Sequence, residues 1–142
     1  MLEGENHRYF HGSAIWLPIG TILRPCPDYE KNWGATELYP LLERYRPATY
    51  RRQADSVFMC GSDEDLDAAG GGTKWVFVVR PLGPVTRHDL NWGSRICCGI
   101  SDGEKEPTLV EFARNYWAGT PSYDPLWEYL TPSAEVLSVQ PF

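Results

Sequence analysis

Lys74-Trp75-Val76-Phe77-Val78-Val79-Arg80 is the stretch that decides how this chain folds. Its five inner residues are apolar without a break, and three of them are Val. β-branched and aromatic side chains suit a pleated strand, and a run without polar alternation suits one buried on both faces. The reading is a central strand. Three weaker strands read around it, at Arg8–Gly12, Ser56–Cys60 and Glu135–Val139.

Helix signals are short. Pro40–Arg46 begins with Pro at a first-turn position and carries Leu41, Leu42 and Tyr45. Ser62–Ala69 has Ser62 as an N-cap and acids in its first turn, and Gly70-Gly71-Gly72 ends it. Pro107–Trp117 places Leu109, Phe112, Ala113 and Tyr116 on one face, with Gly119 just past its end. Few short helices among several strands define an α+β class. The 13 Gly and 12 Pro agree, since they favour many loops over long helices. A length of 142 residues suits one domain, 1–142, with one core.

Charge and cysteine narrow the function classes. A net charge of −6 disfavours nucleic acid as a partner, because phosphate contacts need clustered Lys and Arg. The basic cluster is Arg44, Arg46, Arg51 and Arg52. It reads either as a solvated helix end and loop, or as a clamp for a diphosphate, which Arg holds bidentately. The four Cys contain no CxxC pair, and the three His are not spaced with them as zinc ligands. No metal is expected, and reduced structural thiols in a cytoplasm are. No run is apolar and long enough to span a membrane, and the polar, acidic start Met1-Leu2-Glu3-Gly4-Glu5 argues against a signal peptide. The expected location is cytoplasmic, including that of a host or target cell.

Three segments then fall in order. Tyr9-Phe10-His11-Gly12-Ser13 is followed by Ile19-Gly20-Thr21-Ile22-Leu23. A His at the end of a short apolar run, followed at once by Gly, presents an imidazole where the backbone has room to turn. Val57-Phe58-Met59-Cys60 leads into the helix capped by Ser62, and Trp75–Val85 runs on to Asp89-Leu90-Asn91. This order resembles the small bacterial rifamycin ADP-ribosyltransferases and, more broadly, the ADP-ribosyltransferase fold. That family opens with a Tyr/Phe-His-Gly-Thr strand and an apolar-Gly-Asp-apolar segment. A Val/Ile-Tyr-Leu/Phe-Thr strand then precedes a helix, and a Val-Glu-Pro-Thr-Gly-Pro strand end precedes Asp-Asp-Pro-Asn. The likeness covers about Tyr9 to Asn91, with an echo at Gly119-Thr120-Pro121.

The resemblance implies a split β-sandwich holding NAD between its sheets. It implies an NAD-dependent transferase of the glycosyltransferase class, which breaks the nicotinamide–ribose bond and passes ADP-ribose to a protein, a nucleic acid or a small molecule. It assigns His11 to a ribose hydroxyl, Gly12 and Ser13 to the nicotinamide side, and Phe58, where the family carries Tyr, to stacking on the ring. Arg52 joins them as an NAD-binding residue. The carboxylate that faces the developing cation is Asp89 or Glu128, with Glu135 a third choice. Structural readings stand beside each: His11 as a core His tied to a backbone carbonyl, Phe58 as core, Asp89 as a turn residue capping a loop. Trp127-Glu128-Tyr129-Leu130-Thr131 resembles the late catalytic-Glu strand of the wider superfamily, and the structural reading instead puts Glu128 on the surface of a short helix begun by Asp124-Pro125 and running through Tyr129. Arg80 stands where the family has Glu, as a strand-end charge or as a contact to acceptor or pyrophosphate. The segment Asp28–Arg52, with Trp33, Tyr39, Tyr45 and Tyr50, and the helix Pro107–Trp117 depart from the family. They are candidates for a lid and for acceptor recognition. An NAD glycohydrolase and a non-catalytic module binding a nucleotide or a protein are the alternatives on the same fold.

Overall fold

A computed structural model describes residues 8–62, 64, 65 and 74–140. The apolar run forms β4 (Trp75–Pro81), one strand of a seven-stranded sheet whose other members are β1 (Tyr9–Ser13), β2 (Ile22–Leu23), β3 (Val57–Cys60), β5 (Thr86–Asp89), β6 (Trp127–Thr131) and β7 (Ala134–Val139). The order is β2-β7-β4-β1-β3-β6-β5, and every pairing is antiparallel. Strand β4 is interior, and Val76, Phe77, Val78 and Val79 are all buried. On one face Phe77 and Val79 pack with Val57, Met59, Ala134 and Val136. On the other, Val76 and Val78 pack with Phe10 and Cys60. Burial on both faces is why this strand lacks polar alternation.

The sheet has a seam. Strand β1 pairs with β4 along its whole length, from Tyr9 opposite Val79 to Ser13 opposite Trp75. It meets β3 at one position, Phe10 opposite Cys60. Beyond that pair the strands part, and the imidazole of His11 spans the gap to the Phe58 carbonyl at 2.9 Å. The two sheets expected from the sequence are therefore two halves of one antiparallel sheet, β2-β7-β4-β1 and β3-β6-β5, joined at a single pair.

Helices cover the second half. They are α1 (Tyr29–Trp33), α2 (Leu38–Arg44), α3 (Leu90–Ser101) and α4 (Glu106–Ala118). Leu42 of α2, Trp92 and Ile96 of α3, and Ala113, Tyr116 and Trp117 of α4 form one buried cluster. The Trp117 indole N–H donates to the Leu42 carbonyl at 2.8 Å, which ties α4 to α2. Helix α4 carries Pro in its first turn and ends at Gly119, whose φ is +71°. A Cβ there would sit 2.8 Å from the Arg87 carbonyl oxygen, so the turn needs Gly for both reasons.

Helix α4 lies within one residue of the range read from sequence, and α2 starts two residues earlier than expected. Asp65 donates its N–H to Ser62 Oγ at 3.3 Å, as an N-cap should. The rest of the Ser62–Ala69 helix lies outside the described residues. Four elements were not foreseen: β2, α1, β5 and α3. Strand β5 is too short and polar, Thr86-Arg87-His88-Asp89, to signal itself, and it exists by pairing with β6. Helix α3 contains Gly93 and Gly99, which lower intrinsic helicity. At Gly99 a Cβ would crowd a Leu109 methyl at 2.9 Å, whereas at Gly93 it would meet Leu38 at 3.6 Å, an ordinary contact. Glu128 lies on a strand, β6, and the short helix considered for Asp124–Tyr129 does not form. Among the described residues no helix is long and apolar enough to cross a membrane.

Candidate active site

A cavity of about 570 Å³ opens where the two halves of the sheet part. His11 and Gly12 enter it from β1, Phe58 from β3 and Glu128 from β6. Four of the residues read from sequence thus converge there. Tyr29, Trp33 and Tyr39 of α1 and α2 close one side.

His11 is both tied to a backbone carbonyl and turned to the cavity. Its Nδ1–H donates to the Phe58 oxygen, which leaves Nε2 as an acceptor. Burial lowers its pKa, partly opposed by that hydrogen bond, so the ring is neutral. Phe58 does not pack into the core. Its ring stacks on Tyr29, with centroids 5.6 Å apart and planes 15° from parallel. Tyr39 meets Tyr29 edge-on at 5.1 Å. A ligand ring stacking on Phe58 must slide beside Tyr29 or displace it.

Glu128 sits opposite Cys60 on one neighbouring strand and His88 on the other. Its Oε2 accepts from the Tyr116 hydroxyl at 2.7 Å, and that hydroxyl accepts from the Gln53 amide at 3.0 Å. Burial pushes the carboxyl up to about 7, and the Tyr116 hydrogen bond opposes the shift. A carboxyl that titrates near neutrality in an apolar cavity is suited to acid–base or charge-stabilising work. The Cys60 thiol beside it is pushed up to about 12, first by burial and then by Glu128. It is therefore a thiol at neutral pH and no nucleophile.

Four other residues read as site members lie elsewhere. Asp89 is fully buried at the end of β5 and caps α3. Its carboxylate accepts from the backbone N–H groups of Asn91 at 3.0 Å, Leu126 at 3.1 Å and Ser122 at 2.7 Å. Burial would raise its pKa, but the hydrogen bonds from Ser122, Asn91 and Leu126 outweigh it and hold the group below the usual range. With its oxygens saturated by backbone donors and outside the cavity lining, Asp89 is an anchor, and the capping reading replaces the catalytic one. Ser13 turns its hydroxyl back onto Ile15, bonding both its carbonyl and its N–H. Arg52 is held by Asp55 at 2.9 Å and 3.1 Å and by Glu30 at 3.1 Å. Arg46 binds Glu43 and Arg44 binds Glu106, so these arginines neutralise carboxylates, and Arg46, Arg51 and Arg52 line a second cavity of about 440 Å³ that shares no lining residue with the one at His11 and Glu128. Glu135 forms an ion pair with Arg80 across β7 and β4, which makes Arg80 a strand-end charge.

The expected aromatic lid divides. Trp33 and Tyr39 line the cavity, whereas Tyr45 and Tyr50 pack on the helical core. Tyr29, Gln53 and Tyr116 were missed. Tyr29 had a signal in the aromatic richness of its segment, but Gln53 and Tyr116 had none, since Tyr116 reaches Glu128, and Gln53 reaches Tyr116, from distant elements. All four cysteines are free. Cys60 is buried, while Cys26, Cys97 and Cys98 are exposed and so are not the packed thiols expected. Among the described residues no group of three His, Cys, Asp or Glu side chains is placed to hold a metal ion. Comparison with known proteins found no family model and no curated sequence that matches this chain.

Proposed function

We propose that the protein cleaves the nicotinamide–ribose bond of NAD and passes ADP-ribose to an acceptor, on an ADP-ribosyltransferase-like fold. The observation that carries this reading is the convergence of His11, Phe58 and Glu128, from three strands, on one cavity at the seam of the sheet. A flat, partly apolar ring finds aromatic surface at Phe58 and Tyr29. A ribose hydroxyl finds the lone pair of His11 Nε2. A cation developing at C1′ finds the Glu128 carboxylate, in a low-dielectric site where charge is felt strongly.

The chemistry follows glycoside cleavage. The C1′–N bond breaks with its electron pair leaving on nicotinamide, and the ribose passes through an oxocarbenium-like state. The acceptor's lone pair then bonds C1′, and the acceptor gives up a proton. Glu128 stabilises the charge, so it acts in its ionised form, and activity rises with pH through about 7.

Nicotinamide release from NAD is the test, measured with and without candidate acceptors, followed by mass spectrometry of modified species. Release that needs an acceptor is a transferase, and release into water alone is a glycohydrolase. His11→Gln is expected to raise the KM for NAD about tenfold by losing one oriented hydrogen bond. An absence of nicotinamide under every condition overturns the reading.

A further inference from the structure

Glu128 carries the chemistry under the reading above, yet among the described residues it has one hydrogen-bond partner, the Tyr116 hydroxyl. A carboxylate with a single partner on a twisted strand can rotate, unless that partner is itself immobile. Tyr116 is immobile. It lies on α4, is 1% exposed, and its ring stacks on His88 at 4.8 Å and 17°. His88, fully buried, donates from Nδ1 to the Tyr116 carbonyl at 2.9 Å and bonds Thr86 through Nε2 at 2.8 Å. Trp117 meets the Tyr116 ring edge-on at 5.0 Å.

The direction of the hydrogen bond is also set. Gln53 Nε2 has only N–H groups to offer, so the Tyr116 oxygen accepts from it and the phenolic proton turns to Glu128. A bond donated to a carboxyl oxygen is stronger when the carboxyl is ionised. We propose that Tyr116 is the positioning residue of Glu128, and that Gln53 fixes the polarity of the relay, so that the carboxylate is presented to the cavity in one orientation. This rests on the NAD-cleaving reading for its use, but the relay itself is a property of the apo protein.

Among the described residues no other group takes this part. The titratable neighbours on the strands are His11 on β1, Cys60 on β3 and His88 on β5. Burial lowers both histidines and raises the thiol, so all three are neutral near pH 7. From the helices, Tyr29, Tyr39 and Cys97 line the same cavity, and burial raises each of them, so they are neutral too. With no cation among the described residues facing the carboxyl, the Tyr116 hydroxyl is what opposes burial.

The test reads Glu128 directly. Protein labelled with ¹³C at the glutamate carboxyls is titrated by NMR without ligand, and the Glu128 signal is the one lost in Glu128→Gln. In Tyr116→Phe its midpoint is expected to rise by about one pH unit, because a charge-assisted bond is removed. Gln53→Glu is nearly isosteric but turns the donor into an acceptor. It is expected to draw the phenolic proton away and raise the midpoint as well. The acid limb of kcat should move with the midpoint in both, while the KM for NAD stays within about twofold. Thermal melting reports whether each variant is folded, and if Tyr116→Phe is not, Gln53→Glu decides. A midpoint unmoved in the folded variants overturns the positioning role, even in a protein that releases nicotinamide. A midpoint that moves in a protein that releases none leaves the relay standing and removes the NAD reading.

Discussion

Asp89 and Glu128 are two carboxylates on neighbouring strands, one register step apart. Asp89 pairs with Trp127, and His88 pairs with Glu128. That single step sends them to opposite faces of the sheet. Asp89 meets three backbone N–H groups where β5 ends, α3 begins and the loop before β6 returns. Glu128 meets one phenol and an open cavity. One carboxyl is held below the usual range and the other is pushed up to about 7. Burial acts on both, and the supply of donors separates them. A saturated carboxylate holds structure together, and an undersupplied one facing a cavity is available for chemistry.

The contrast can be broken by mutation. Glu128→Gln has the largest expected effect. It should lower the kcat for nicotinamide release about 10³-fold with little change in the KM for NAD, as loss of a transition-state contact does. Steady-state kinetics checks this, and equal losses in Asp89→Asn and Glu128→Gln would erase the distinction. Asp89→Ala should instead cost about 3 kcal/mol of stability in urea titration, since it strands buried N–H donors and removes a helix cap. The kcat of the folded fraction should stay near wild type.

The pH dependence of stability should separate the two by sign. Glu128 holds its proton more tightly when folded, with a pKa of about 7 against an ordinary 4.5. Its contribution is therefore full below about 4.5 and is lost as pH rises through 7. Glu128→Gln does not titrate, so it should melt above wild type beyond pH 7, by up to about 2 kcal/mol, and match it at acid pH. Asp89 is lowered, so its contribution is present above its ordinary value of 3.8 and is lost as pH falls further. The smallest effect is expected from Arg52→Ala. Its partners are Asp55 and Glu30 and it lies outside the lining of the cavity at His11 and Glu128, so the KM for NAD should stay within about twofold, whereas loss of a diphosphate clamp would raise it tenfold or more.

The parts legible in the sequence were those with local causes. Strand β4 announces itself through its unbroken apolar run, and α4 through its apolar face between Pro107 and Gly119. Helix α3 stayed hidden because Gly93 and Gly99 argue against a helix until Leu109 is seen beside Gly99. Residues 127–129 are compatible with helix or strand, and the ladder to β3 and β5 settles them as strand. Among the residues that line the cavity, His11, Gly12 and Phe58 were read through the order of their segments and Glu128 through the likeness of its own strand. Ser13 and Arg52 were misplaced because their partners, Ile15, Asp55 and Glu30, claim them.

Local sequence settles the strand at the centre of the sheet, the first-turn Pro and terminal Gly119 that bound α4, and the presence of a His-Gly step near the end of β1. These follow from side-chain shape and backbone freedom within a few residues. Which carboxylate is free for chemistry does not. The Ser122 and Leu126 donors to Asp89 lie 33 and 37 residues away along the chain, and Gln53 lies 63 residues from the Tyr116 hydroxyl it orients. A carboxyl's charge and freedom depend on the donors that folding brings to it, and chain distance carries no record of them.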